Sequence, residues 1–187
     1  MQNMNPQLHI YPTSADLPPA YYYQAQAFMR IVFGDLDDYD MDYGLEEEAQ
    51  HIVVAQGKTL ISYTAVIWTT LEFEGESYRC YGLSGVLTFP HFRGRGYGGQ
   101  VVAAATDIIR QSADADIGLL WTADKNAGFY TQQGWEVIPG MTTLSGDPQN
   151  PTVYDDELRM MLFVSAKGKQ ARARFERGQV YVGRETW

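Results

Sequence analysis

A cluster of glycines and arginines between Arg93 and Gly99 is the part of this sequence best suited to chemistry. Glycine leaves backbone N–H groups uncovered, and at the start of a helix such groups surround an anion while the helix dipole adds a favourable field. Two arginines in the same segment add positive charge. The pattern predicts a phosphate-binding loop formed by Arg93, Gly94, Arg95, Gly96, Tyr97, Gly98 and Gly99.

This glycine loop, residues 93–99, admits three interpretations. One is a tight strand-to-helix turn that binds no ligand. Another is a dinucleotide site, because Gly94, Gly96 and Gly99 satisfy G-x-G-x-x-G. That fingerprint normally opens a β-α-β unit and is followed by an acidic residue about 20 positions later, whereas antiparallel hairpins are predicted before this loop, so NAD is disfavoured. The third interpretation, an acyl-coenzyme A site, depends on the residues that flank the loop.

The elements that must position the loop predict a mixed α/β fold. Turn residues at Gly57-Lys58 and Glu74-Gly75-Glu76 separate β-rich runs, which is typical of an antiparallel meander. A helix is predicted after the loop, with an apolar face of Val101, Ala105, Ile108 and Ile109. The other predicted elements are strands at 8–11, 51–56, 59–73, 77–88, 117–123, 134–138 and 157–164, helices at 20–33 and 125–132, and a loop at 139–151.

Two segments have a biased charge. Gly34 to Glu48 is rich in Asp and Glu, which predicts either a solvated loop or the cation-attracting wall of a binding site. Residues 167–187 form a basic tail. We expect this tail to pack on the body of the protein, because Val180, Tyr181 and Trp187 would otherwise be exposed.

Length, charge and hydropathy limit the class of protein. A chain of 187 residues with 45% hydrophobic side chains predicts one domain, residues 1–187. The net charge of −9 disfavours nucleic acid and favours a small cationic partner. No apolar run approaches the ~20 residues of a membrane span, and the N-terminus lacks the features of a secretory signal. We therefore expect a soluble, cytoplasmic protein that binds neither nucleic acid nor a membrane.

Residues that commonly hold metals are scarce. The single cysteine, Cys80, excludes an intrachain disulfide, and its place in a predicted strand suggests a small buried hydrophobe. His9, His51 and His91 lack the spacing of a helical metal site and have no cysteine companions. We expect no metal.

Residues on both sides of the glycine loop carry a family resemblance. Before the loop, Gly85-Val86-Leu87-Thr88 ends a predicted strand; after it, Asn126 and Tyr130 precede Gly134-Trp135. With the loop between them, this order resembles the GNAT superfamily of N-acyltransferases. The resemblance extends to one branch, the aminoglycoside 2′-N-acetyltransferases, through Ala65-Val66-Ile67, Arg79-Cys80, Asp155-Asp156 and a tail ending in Trp187.

The resemblance implies an α/β acyltransferase fold, with a mixed central sheet of about seven strands, antiparallel first, splayed at a parallel pair near its middle and flanked by helices. It implies acetyl-coenzyme A as cosubstrate, with its pyrophosphate on the glycine loop. The cofactor contacts implied beyond the loop are Val86, Leu87, Thr88 and Asn126. Dimers are common in that superfamily, so the assembly stays open between a monomer and a homodimer.

Acyl transfer to an amine needs a polarised carbonyl, an acid for the departing thiolate and a base for the amine. By resemblance, a backbone N–H near Val86 polarises the carbonyl and Tyr130 is the acid; packing on the sheet is the alternative reading of Tyr130. Where the branch carries a glutamate, this chain has Ser84, whose hydroxyl can hold a water but is not a strong base. A noncatalytic coenzyme A-binding or sensory domain is therefore the alternative function.

The implied acceptor is the primary amine of a small, cationic molecule, aminoglycoside-like or polyamine-like. Its candidate contacts are Asp35, Asp155, Asp156 and Trp187, with the tail near the acceptor. The base stays open between these carboxylates (that of Trp187 being terminal), Glu72 and a water chain. Aromatic residues of the first helix either line the acceptor pocket or pack in the core; they are Tyr21, Tyr22, Tyr23, Phe28 and Phe33.

Overall fold

The structure is a computed structural model that describes residues 5–33, 45, 48–154 and 157–184. The strands are β1 (Gln7–Tyr11), β2 (Gln50–Gln56), β3 (Thr59–Phe73), β4 (Glu76–Thr88), β5 (Ile117–Thr122), β6 (Glu136–Val137), β7 (Thr142–Ser145), β8 (Thr152–Tyr154), β9 (Leu158–Phe163) and β10 (Gln179–Gly183). The helices are α1 (Pro19–Phe33), α2 (Tyr97–Gln111), α3 (Ala127–Thr131) and α4 (Ala166–Phe175). Among these helices, none combines the length and the hydropathy that crossing a bilayer requires.

Seven strands form one mixed sheet in the order β1-β2-β3-β4-β5-β9-β6. The pairs β1–β2, β2–β3 and β5–β9 are antiparallel. β4 and β5 are parallel, with Cys80 beside Ile117 and Tyr81 beside Gly118. The predicted mixed sheet of seven strands, with a parallel pair near its middle and helices flanking it, is therefore confirmed. The ladder between β4 and β5 comprises these two residue pairs; the splay stays a prediction.

The chain divides into two compact units, each with its own buried core. Unit 1 comprises Met1–Ile67 and Leu83–Ala105, and unit 2 comprises Trp68–Gly82 and Thr106–Trp187. The glycine loop and the end of β4 belong to unit 1, whereas α3 belongs to unit 2.

Helix α1 supplies much of the core of unit 1. It buries Tyr21, Ala25 and Phe28, whose spacing places them on one face of a helix. Phe28 stacks on Phe89, just beyond β4, with ring centroids 4.2 Å apart. Tyr21 also donates a hydrogen bond to the Gly57 carbonyl over 2.6 Å. α1 thus contacts both the turn between β2 and β3, at Gly57, and the residue just after β4, Phe89.

Phe175, at the end of α4, is fully buried in the core of unit 2. Its ring stacks on Phe73 at 4.4 Å and meets Tyr78 edge-on at 5.2 Å. Beyond α4, β10 joins a second, three-stranded sheet in the order β10-β7-β8. Its pairing with β7 is parallel and that of β7 with β8 antiparallel.

The prediction of a plain loop at 139–151 was wrong, because Thr142–Ser145 form β7. This strand pairs with β10, which is distant in the sequence. The local residues therefore do not indicate the pairing that makes this segment a strand. The basic tail contains α4 and β10, which were not predicted. Val180 is buried as expected and Tyr181 is half-buried, whereas Trp187 lies outside the described residues.

The apolar face predicted for α2 needs one correction. Val101, Ala105 and Ile109 are fully buried as predicted. Ile108 is only half-buried, and the buried face instead includes Val102 and Thr106. The hydroxyl of Thr106 accepts a hydrogen bond from Trp135 Nε1 over 3.0 Å, which satisfies this buried polar group.

Ser165 fixes the start of α4, and we expect Ser165→Ala to lower the free energy of unfolding by about 1 kcal/mol. Its Oγ accepts from the Gly168 N–H over 3.0 Å and donates to Asp116 Oδ1 over 2.6 Å, so alanine removes both a helix cap and a link to β5. Urea unfolding followed by circular dichroism measures the change. Ser77→Ala, at an exposed serine, is the control; an equal loss in both variants contradicts the prediction.

Candidate functional site

The glycine loop is built in unit 1 as an open cradle at the N-terminus of α2. Gly94 and Gly96 have φ values of +73° and +82°, which L side chains rarely adopt. A Cβ placed on Gly94, Gly96 or Gly99 would have no atom within 4 Å. The Gln100 N–H donates to the Gly96 carbonyl over 3.1 Å, so the N–H groups before it belong to the first turn, where helices lack internal acceptors. Uncovered donors beside open space suit an anion.

Both arginines of the loop are anchored and exposed. Arg93 Nε donates to the Thr88 carbonyl over 3.0 Å, which ties the loop to the last residue of β4. The Arg95 guanidinium lies over the Phe92 ring, 5.8 Å from its centroid. The loop thus carries two positive charges, and charge of this sign complements a phosphate.

Within β4, Gly85 interrupts the strand conformation. Its φ is +61°, as at the glycine of a β-bulge, and Ser84, Gly85 and Val86 are half-buried. A Cβ on Gly85 would overlap Sδ of the Met29 side chain on α1. The backbone conformation therefore favours glycine here, whereas the Met29 thioether is the flexible end of a side chain and could shift. The residues after Gly85, Val86 to Thr88, complete β4, and residues 89–92 follow before the glycine loop begins.

Tyr130 lies in unit 2, on α3, and is buried. Burial raises the pKa of its phenol to about 12, the Thr122 hydroxyl that hydrogen-bonds it acts in the opposite direction, and the negative charge of Glu157 adds to the rise. The group is therefore a protonated phenol at neutral pH, as an acid must be. Phe129 meets its ring edge-on at 5.1 Å.

Glu157 is a residue that the sequence analysis did not single out. Leu158 pairs with Thr122 across β9 and β5, so the preceding Glu157 lies at the end of β5 where Thr122 and Tyr130 meet. Its carboxylate accepts from the Tyr154 hydroxyl over 3.4 Å. The signal for it was present, because Glu157 continues the acidic pair that precedes it in the sequence.

The remaining predicted site residues are placed as follows. Ser84, Val86, Leu87 and Thr88 lie with the glycine loop in unit 1. Asn126 lies in unit 2, exposed at the start of α3, and its side chain makes no capping hydrogen bond. Other predicted residues lie outside the described residues; they are Asp35, Asp155, Asp156 and Trp187.

The structure also places the residues predicted not to act. Cys80 is fully buried, and burial raises the pKa of its thiol to about 12, so it is a core residue as predicted. His51 is buried with Nδ1 2.8 Å from the Tyr63 hydroxyl. Among the residues that the structure describes, no group of three or more His, Cys, Asp and Glu side chains is arranged to hold a metal ion. Tyr21 and Phe28 pack in the core of unit 1.

Comparisons with known proteins identify the family and the fold of the chain. The profile of a family described as "Acetyltransferase (GNAT) domain" matches residues 12–138, a range that includes the glycine loop and Tyr130. Among solved structures, Escherichia coli ElaA is similar with a TM-score of 0.58 and 14% identity, over 84% of this chain and 99% of that one. An acyl-CoA N-acyltransferase from Pseudomonas aeruginosa is also similar, with a TM-score of 0.58 and 15% identity, over 84% of this chain and 99% of that one.

A third similar structure is the Escherichia coli GNAT family N-acetyltransferase YhbS, solved in complex with CoA. Its TM-score is 0.59 and its identity 14%, over 95% of this chain and 89% of that one. At this level of identity, the three structures show a common fold. No curated protein sequence matches the chain.

Proposed function

Because the chain belongs to the GNAT acetyltransferase family, we propose that it transfers an acetyl group from acetyl-coenzyme A to the primary amine of a small cationic molecule. The observation that carries the proposal is the open cradle of the glycine loop, with Gly94 and Gly96 at positive φ and unobstructed space above them. Residues 1–187 act in this proposal as one catalytic domain.

The cofactor would be held mainly by hydrogen bonds from backbone N–H groups rather than by side chains. The pyrophosphate accepts hydrogen bonds from the N–H groups of the glycine loop, and Arg93 and Arg95 add positive charge. The pantetheine chain lies along Val86, Leu87 and Thr88, and Asn126 is a further cofactor contact. The Val86 N–H donates to the thioester carbonyl and stabilises the negative charge that develops on its oxygen.

The reaction is a direct transfer without a protein nucleophile. The neutral amine attacks the carbonyl carbon, a C–N bond forms and the C–S bond breaks. Tyr130 gives its proton to the departing thiolate, and the ammonium formed by attack loses a proton to a carboxylate or to water held by Ser84. Glu157 joins Asp35, Glu72, Asp155, Asp156 and the terminal carboxylate of Trp187 as a candidate for that base.

The acceptor class follows from charge. The net charge of −9 favours a cation, and Glu157 provides a carboxylate next to Tyr154. An aminoglycoside or a polyamine has the required amine and charge. The aminoglycoside is supported by the sequence resemblance at Ala65-Val66-Ile67, Asp155-Asp156 and Trp187.

A noncatalytic coenzyme A-binding domain is the second candidate, since Ser84 stands where the related branch has a glutamate. Calorimetric titration with acetyl-coenzyme A and, in parallel, NAD distinguishes the cofactor. Thiol release with kanamycin, spermine and a peptide amine then tests turnover on the same sample. Micromolar acetyl-coenzyme A binding with thiol release supports the enzyme. Binding without release for any amine supports the second candidate, and binding of NAD alone overturns both.

Glu157→Gln tests the acceptor contact. We expect the KM for the amine to rise about fivefold and the dissociation constant of coenzyme A to change less than twofold, because the substitution removes a charge that attracts the amine but not the cofactor. Steady-state kinetics at two salt concentrations measure the change. Glu136→Gln, a carboxylate that pairs with Arg172, is the control. Equal effects at both positions would assign the change to net charge.

A further inference from the structure

Two buried hydroxyls of β3 donate hydrogen bonds to backbone carbonyls of β4, one on each side of Gly85. Thr64 Oγ1 donates to the Ser84 carbonyl over 3.1 Å. Ser62 Oγ donates to the Leu87 carbonyl over 2.7 Å and lies 2.9 Å from the Thr88 hydroxyl. Ser62 is 1% exposed and Thr64 is fully buried, so both donor side chains are shielded from water.

Side chains are unusual donors between neighbouring strands of a sheet. In a regular ladder, the carbonyls that face a neighbouring strand are paired with its backbone N–H groups. A residue at positive φ disrupts the ladder locally and turns the neighbouring peptide planes. A buried carbonyl left without a donor costs free energy, and here hydroxyls provide donors on both sides of the disruption. They also fix the orientation of the planes to which those carbonyls belong.

We propose that Ser62 and Thr64 are positioning residues that hold the Val86 N–H in the orientation needed to polarise the thioester carbonyl. Thr64 fixes the peptide between Ser84 and Gly85, and Ser62 fixes the peptide that follows Leu87. The Val86 N–H belongs to one of the two peptides between these fixed points. This inference rests on the proposed function.

The physical reason for such a clamp is the glycine itself. Gly85 has the widest conformational freedom of any residue, so the peptide that precedes Val86 is the one most able to rotate. A donor stabilises a developing negative charge only when it is oriented before the reaction, because reorientation at that moment would cost part of the gain. Two anchored carbonyls reduce that rotation without touching the substrate.

Thr64→Val removes the hydroxyl and keeps the shape. We expect kcat to fall about tenfold, with the dissociation constant of coenzyme A within twofold of wild type, because the phosphate cradle is unchanged. Thr64→Ser restores the donor and should restore kcat to within twofold. Infrared difference spectroscopy of bound acetyl-coenzyme A, without an amine, gives a readout that a merely structural role would not move. The acetyl C=O band, lowered in wild type and in Thr64→Ser, should shift back toward its free frequency in Thr64→Val.

Thr106→Val is the matched control, since it deletes another fully buried hydroxyl with one side-chain partner. Comparable thermal stability of the two valine variants, with kcat and the C=O band changed only in Thr64→Val, supports the proposal. Equal kcat losses in both, or an unshifted band in Thr64→Val, overturn it. Failure of the proposed function would look different, because the wild type itself would then neither bind acetyl-coenzyme A nor release thiol.

Discussion

Replacing Tyr130 by phenylalanine is expected to lower kcat about 100-fold while changing the dissociation constant of coenzyme A less than twofold. The phenol is the proposed proton donor to the departing thiolate, and a positioned acid contributes roughly 10²- to 10⁴-fold to a rate. Because burial raises the pKa of Tyr130 to about 12, the group stays protonated across the working range. Turnover should therefore show no alkaline loss from Tyr130 below about pH 10. Single-turnover thiol release between pH 6 and that limit tests both points.

Tyr21→Phe is the matched control for this experiment. Tyr21 is also buried, and its hydroxyl donates to a backbone carbonyl over 2.6 Å, so the substitution deletes a comparable group away from α3. Its kcat is expected to remain within twofold of wild type. Full activity in Tyr130→Phe would remove this tyrosine from the mechanism and leave it a packing residue.

Gly96→Asp is expected to raise the dissociation constant of coenzyme A at least thirtyfold, about 2 kcal/mol. The side chain has room, because a Cβ on residue 96 would have no atom within 4 Å, so the effect comes from charge rather than from a clash. A carboxylate in the cradle repels the pyrophosphate. It also accepts hydrogen bonds from the N–H groups that would otherwise bind the pyrophosphate. Calorimetric titration measures the change.

Gly75 offers a close control for Gly96. It has a φ of +79° against +82° for Gly96, and a Cβ there would also meet nothing within 4 Å. Gly75→Asp therefore introduces the same backbone strain and the same charge in the turn between β3 and β4. If both variants lose the same affinity, the glycine loop is not the phosphate site.

The first two thirds of the fold could be predicted because its signals are local. Turn residues such as Gly57 and Gly75 mark the hairpins of β2, β3 and β4, and both have positive φ. The spacing of Tyr21, Ala25 and Phe28 gives α1 a single buried face. The glycine loop is local too, since the residues that form the cradle are contiguous in the sequence.

The rest of the fold depends on partners that are distant in sequence. Thr142–Ser145 form a strand by pairing with β10, and no pattern in the surrounding segment, which is rich in Gly and Pro, predicts that pairing. Helix α4 was missed because its basic composition resembles a solvated tail, although Ser165 before a run of helix formers was a readable cap. Glu157 is visible in the sequence as the third residue of an acidic run, but its position near Tyr130 depends on the pairing of Leu158 with Thr122.

Because Cys80 is buried, the release of coenzyme A can be measured with thiol-reactive reagents with little interference from the protein. These reagents react with thiolates, and burial raises the pKa of the only cysteine to about 12. The folded protein should therefore give almost no background colour when coenzyme A is released. In denaturant the same thiol becomes accessible, so its labelling rate would report the opening of the β4–β5 pair, where Cys80 faces Ile117. One side chain would thus serve as an internal probe of local unfolding without any engineered label.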